Sequence, residues 1–300
     1  GKRAAKFYAS RAETTDTVEL EQRAKIRANL GDVMTGQGHL PEALVEQRAA
    51  LAGWTTLSAS DPANSKWRRE LAASQRKVGE ILLAQGDQVG AIAEIRKAVA
   101  VLDDGVRRAP EDRDIQHQLG ATHQSVSDAL ARKNDLVGAL AESRRAMAIF
   151  GKIVEHDPKS AARDDLATAH YRVGELLRLQ GDTPAALAET TEAIAIVSAM
   201  AASDPKHALV QSHLASFLDN RARIAGAQGN AKVALESYRA ALEVRERLVA
   251  LDPTSTDYLE DLAGSHVSLG EHWRRHGNGA TAIAEFRLAQ GLFERLVAQA

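Results

Sequence analysis

One phrase recurs six times along this chain. It reads Leu83-Ala84-Gln85-Gly86-Asp87-Gln88-Val89-Gly90-Ala91-Ile92, with counterparts at 35–44, 131–140, 179–187, 226–235 and 274–283. Successive copies start 48 residues apart, with one step of 47. A second marker keeps the same beat: Asp61-Pro62, Ala109-Pro110, Asp157-Pro158, Asp204-Pro205 and Asp252-Pro253. A repeat of this length is one supersecondary unit that cannot bury its apolar face alone, so copies stack into a solenoid. Such an array favours a binding surface over a catalytic pocket.

Each copy reads as two helices. In the second, Asn64-Ser65 offers an N-cap, because a short polar side chain accepts from the orphan amides of a first turn. Leu71, Val78 and Leu82 follow at helical spacing, with small Ala72 and Gly79 between them, and Gly86-Asp87 stops the helix. A second helix starts near Gln88, carries Ile92, Ile95, Val99 and Leu102 on one stripe, and ends before Pro110. No stretch alternates with a period of two. The spacing therefore predicts an all-α chain: a right-handed α-solenoid of six antiparallel helix pairs at 16–60, 61–108, 109–156, 157–203, 204–251 and 252–300, after a lead-in or linker at 1–15.

Composition excludes several functions. Hydrophobic residues make up 44% but aromatics only 4%, which suits alanine-rich helices at close approach. A formal net charge of -2 gives no electrostatic reason to expect nucleic acid, which needs a basic face. No apolar run reads as a membrane span or signal peptide, so no membrane insertion is expected. The absence of cysteine rules out disulfides and thiolate metal sites.

The interior of each unit resembles the tetratricopeptide repeat, a 34-residue helix–turn–helix. Val78-Gly79-x2-Leu82 followed by Ala91-x3-Ile95 holds that spacing, as does Val173-Gly174-x2-Leu177 followed by Ala186-x3-Thr190. Ala234-x3-Tyr238 and Ala282-x3-Phe286 restore the aromatic of the second helix. Twelve residues separate Gly79 from Ala91, as in the family pattern, so the 14 extra residues fall at the outer helix ends. About seven on each helix is close to two turns, which lengthens the helix without rotating its buried face. Where the family has tryptophan, this chain has Gln75, His123, His170, Leu218 and His266, and Ser127 and Ala222 replace the glycine in two units.

The resemblance implies a site as well. In this family the first helices face a concave groove, and residues three before, two before and one after the glycine meet ligands. Those positions are Arg76, Lys77 and Glu80; Gln124, Ser125 and Asp128; Tyr171, Arg172 and Glu175; and Asp219, Asn220 and Arg223, with Arg132, Arg178 and Arg274 a turn further on. Arg172, Arg178 and Arg223 form the most cationic stretch. The lysine–asparagine clamp some members use on a peptide C-terminus does not reappear intact. The acidic register at Asp32, Glu80, Asp128, Glu175 and Glu271 also reads as intrahelical ion pairing, Asp128 to Arg132 and Glu271 to Arg275, each contributing about 0.2–0.5 kcal/mol.

Other chemistry is weaker. His123, His170 and His266 share one register slot but lie one or two repeats apart, too far for one ion, and read as seam residues. His272 and His276 stand four apart, but His276 falls in the turn. H-E-x-x-H, G-x-S-x-G and G-x4-G-K are all missing. The expectation is a non-enzymatic scaffold without cofactor or metal that binds a protein or peptide, an acidic segment by preference, in its groove. The alternative is a regulatory or sensor region of a larger signalling enzyme, a kinase or NTPase. It is suggested by the start at Gly1, the basic lead-in Lys2-Arg3-Ala4-Ala5-Lys6 and the lack of a polar capping helix after 280–299. An RNA-binding repeat is disfavoured by the acidic register. The apolar residues Phe286, Leu292, Phe293 and Leu296 also suggest self-association through the last helix.

Overall fold

The computed structural model describes residues 2–299, with side chains over 16–298. All twelve elements among them are helices: α1 (Lys2–Gly36), α2 (Leu40–Ser60), α3 (Ser65–Ala84), α4 (Gln88–Arg108), α5 (Arg113–Arg132), α6 (Leu136–His156), α7 (Ala162–Leu179), α8 (Thr183–Ser203), α9 (Ala208–Ala227), α10 (Ala231–Leu251), α11 (Thr256–Arg275) and α12 (Gly279–Gln299). The expected lead-in continues α1 as helix from Lys2. The helices group into two compact units, Gly1–Pro158 and Lys159–Ala300. Each unit is a run of three helix pairs in which every helix packs on the next.

The recurring phrase earns its conservation from copy to copy at the turn. Gly86 takes φ +88°, a left-handed conformation that costs a residue with Cβ but not glycine. In the third copy Asn134 fills that slot at φ 63°, the side chain most tolerant of it. The next residue caps the second helix: Asp87, Asp135, Asp182 and Asn230 accept from the amides of Gly90, Gly138, Ala185 and Val233 at 2.9–3.2 Å. Asn64 caps α3 by accepting from the Trp67 amide at 3.2 Å.

The glycine inside each first helix answers to packing. A Cβ on Gly79 would lie 2.4 Å from Ile95 Cγ1 and 3.0 Å from the Ala91 carbonyl oxygen. Ser127 replaces that glycine in α5, and its hydroxyl donates to the equivalent carbonyl, Ala139, at 2.8 Å. What would be a clash is thereby converted to a hydrogen bond. Ala91, Ala139, Ala186 and Ala234 are wholly buried at this closest approach of the two helices.

α8 corrects one expectation. Its 21 residues are apolar and long enough, by length and composition, to cross a membrane. Alanines supply that hydropathy, and Ala186, Ala193, Ile194, Val197 and Ala201 are buried against the helices on either side.

Candidate functional site

Within each unit the first helices approach one another, α3 meeting α5 and α7 meeting α9, whereas no pair of second helices comes comparably close among the described residues. The first helices are therefore the inner layer of each unit. Ion pairs tie them together. Lys66 Nζ and Trp67 Nε1 on α3 reach Glu21 on α1 at 2.6 and 3.0 Å, and with Lys25 they draw the Glu21 carboxyl down to about 2. Arg69 reaches Asp114 on α5 at 3.1 Å, and His213 on α9 donates to Asp164 on α7 at 2.8 Å.

The expected groove residues divide on this layer. In the second unit, Tyr171, Arg172, Glu175, Arg178 and Arg223 come together. The Tyr171 ring stacks on Phe217 with centroids 4.7 Å apart, and Phe217 stacks on His213 at 5.8 Å, a ladder of three rings across α7 and α9. Burial against Phe217 raises the Tyr171 phenol above its ordinary range. Glu175 accepts from Arg178 Nε and Nη2 at 3.2 and 3.3 Å and lies 3.9 Å from Arg223 Nη2. One carboxylate thus holds two guanidinium groups, leaving net positive charge at this point. Arg172 and Arg223 are exposed and Arg178 is half-buried. Beyond Arg223 a cavity of about 180 Å³ is lined by Tyr238, His272, Arg275 and His276.

Two expected members do not belong. Asp219 turns away toward α10, where Arg245 Nη1 donates to its carboxylate at 2.5 Å and to Ser265 Oγ at 2.6 Å. Asn220 is 0% exposed and its amide has no hydrogen-bond partner among the described residues. Packing between α9 and its neighbours engages both: Asp219 is held by Arg245 with its side chain 21% exposed, and Asn220 is enclosed. The remaining positions lie on α3, α5 and α11. Arg76 pairs with Glu80, Lys77 Nζ lies 3.3 Å from Asp32, and Arg274 donates to Glu271 at 2.7 Å. Glu271 thus takes Arg274, three residues on, rather than Arg275, whose Nε instead donates to the Glu271 carbonyl at 3.3 Å. Gln124 and Asp128 are half-buried and Arg132 is exposed at the end of α5.

The shared histidine slot has a partner that the sequence pattern conceals. His123, His170 and His266 donate from Nδ1 to Glu142, Glu189 and Glu285 at 2.6, 2.7 and 2.7 Å, each 19 residues downstream on the second helix. Arg27 holds Glu46 at the same spacing in the first unit, at 2.6 Å. In these units the slot is thus a donor-to-glutamate rivet across the helix pair, and the constant 19-residue offset was the available signal. His123 holds the Glu142 carboxyl below its ordinary range, with Arg145 adding to the effect. A carboxylate whose folded value is depressed contributes stability above its unfolded value, about 4.3, and that contribution is lost as pH falls through the folded value. Thermal unfolding from pH 6 down to 2 should therefore show a smaller acid loss for Glu142→Gln than for the parent chain. Identical acid slopes would remove the rivet from the account.

Among the described residues no group of three or more His, Asp or Glu side chains is placed to hold a metal ion. His272 and His276 stack with ring centroids 4.3 Å apart, but His276 Nδ1 donates to the His272 carbonyl at 2.8 Å. Burial, His276 and Arg275 together push the His272 imidazole down.

No family model matches the chain, and no curated protein does. Solved structures do. BtubC (BKLC) from P. vanneervenii superposes with a TM-score of 0.66 at 16% identity, covering 86% of this chain and 92% of that one. The nearly identical TPR-like repeats of a putative kinesin light chain from Podosopora anserina give 0.56 at 14%, covering 76% and 97%. A Rap protein complexed with competence and sporulation factor gives 0.52 at 13%, covering 93% and 77%. At these identities the likeness establishes the fold alone: an all-α helical-repeat solenoid, as in those structures.

Proposed function

We propose that the protein is a scaffold that binds an extended protein or peptide segment along the inner, first-helix layer of its second unit. The observation that carries this reading is the meeting of Tyr171, Arg172, Arg178 and Arg223 around the single carboxylate of Glu175. Tyrosine and arginine dominate binding hot spots, and a guanidinium holds a carboxylate through two parallel hydrogen bonds. The positive excess at Glu175 favours an acidic segment. Its carboxylates compete with Glu175 for Arg178 and Arg223, so ligand and resident pair exchange without leaving a buried charge unmatched. The Rap protein complexed with competence and sporulation factor, which is similar in fold, supports a binding role for such an array.

The test is selection of displayed peptides on the immobilised chain. Arg172→Glu with Arg178→Glu should weaken binding of the selected acidic peptides by about tenfold or more, about 1.4 kcal/mol. Circular dichroism should remain helical. Arg107→Glu with Arg108→Glu, exposed at the end of α4 and paired with Asp104, is the matched control. A control pair that loses the peptides while the inner pair keeps them would move the site to another face.

A further inference from the structure

The first helix of one unit, α1, and the last helix of the other, α12, carry the two halves of an interface that the chain already uses within each unit. Within the units, α2 packs on α3, α4 on α5, α8 on α9 and α10 on α11. On the second helix of each junction one position is always buried: Trp54, Leu102, Val197 and Arg245. Its counterpart on α12, 48 residues after Arg245, is Phe293, which is 43% exposed. On the first helix two positions are always buried: Ser74, Thr122, Phe217 and Ser265 at one, and Ile81, Ala129, Ile224 and His272 at the other. Their counterparts on α1 are Ile26 and Val33, 63% and 58% exposed.

The internal junctions also show which position meets which. Val197 and Phe217 share one apolar cluster, and Arg245 Nη1 donates to Ser265 Oγ at 2.6 Å. One turn along, the Tyr238 ring meets His272 edge-on at 6.0 Å. Transferred by one repeat, these contacts set Phe293 against Ile26 and Phe286 against Val33. Both sides are apolar here, even where interior junctions carry Arg245, Ser265 or His272. Val267, Phe286, Phe293 and Val297 form an open apolar groove on α11 and α12, and Leu30 adds to the exposed stripe of α1.

We propose that copies of this chain associate head to tail, the α12 face of one copy taking the α1 face of the next as though it were the first helix of a seventh repeat. The occupant is a second copy because the matching half lies on this chain in the right register, and the contact continues a junction already made four times. Such a contact is heterologous: it leaves one face free at each end, and it grows into a ring or an open filament rather than stopping at a two-fold dimer.

Sedimentation velocity over a wide concentration range tests this. The parent chain should show species that grow with concentration, whereas Phe293→Glu and Ile26→Glu should each be monomeric. Both residues are exposed, so helical content should be unchanged. Mixing the two variants is decisive. Phe293→Glu keeps a sound α1 face and Ile26→Glu a sound α12 face, so an equimolar mixture should form one capped pair of chains and nothing larger. A parent chain that stays monomeric at every concentration overturns the proposal, with the α12 groove then belonging to some other helix. An Ile26→Glu variant that still dimerises by itself overturns it too, because that result means α12 pairs with α12.

Discussion

Replacing Arg245 with methionine is expected to cost about 3–5 kcal/mol of stability. The guanidinium is nearly buried among α9, α10 and α11, where Nη1 alone serves both Asp219 at 2.5 Å and Ser265 at 2.6 Å. Without it the Asp219 carboxylate stays in a site that solvates it poorly. Burial already raises the Asp219 carboxyl above the ordinary aspartate range, and Arg245 is the chief influence pulling it back down. The deficit should therefore depend on pH. An acid whose folded value is raised costs nothing while both states are protonated, and the cost grows as pH rises through the unfolded value of about 3.9 toward the folded one. Urea unfolding should show a smaller deficit at pH 4 than at pH 7. The double variant Asp219→Leu with Arg245→Met should recover most of the loss, since an apolar pair of similar volume often replaces a buried ion pair without penalty. A double variant as unstable as the single one would mean that Arg245 acts through packing of its stem and not through its charge.

Ala186→Leu is the second large effect. Ala186 is completely buried on α8, and its carbonyl oxygen lies 3.1 Å from where a Cβ on Gly174 would sit, with Thr190 Oγ1 at 2.7 Å from the same point. The two backbones are as close here as side chains permit, so three further carbons have nowhere to go. Overpacking of this kind costs about 1–3 kcal/mol, which for a domain of this size lowers the melting temperature by several degrees. Ala188→Leu, two residues on and exposed, should stay within about 0.5 kcal/mol of the parent. Equal melting temperatures for the two variants would refute the register of α7 on α8.

Local chemistry was legible in the sequence because it depends on neighbours along the chain. Gly86 before Asp87 marks a turn wherever it occurs, since left-handed backbone and an N-cap are properties of a few consecutive residues. Gly79 and Ala91, twelve apart, mark a close crossing because helical geometry fixes the distance between their turns. The proposed groove rests on family register, which picks out Tyr171, Arg172, Glu175, Arg178 and Arg223 along the first helices; the ion pairs of Glu175 with Arg178 and Arg223 could not be read from that register.

Register does not say what a neighbouring helix brings to the same side. Asp219 and Asn220 sit at groove positions by count, yet Arg245 claims one and packing buries the other. The His–Glu rivets were hidden for the same reason: His123 and Glu142 become partners only when α5 and α6 pack antiparallel at one particular height. Helices, turns and their pairing follow from the repeat alone, because a residue recurring about every 48 positions meets the same local geometry each time. Which charges pair and which polar groups are buried follow from packing, because they depend on side chains brought together across helices rather than on any spacing along one.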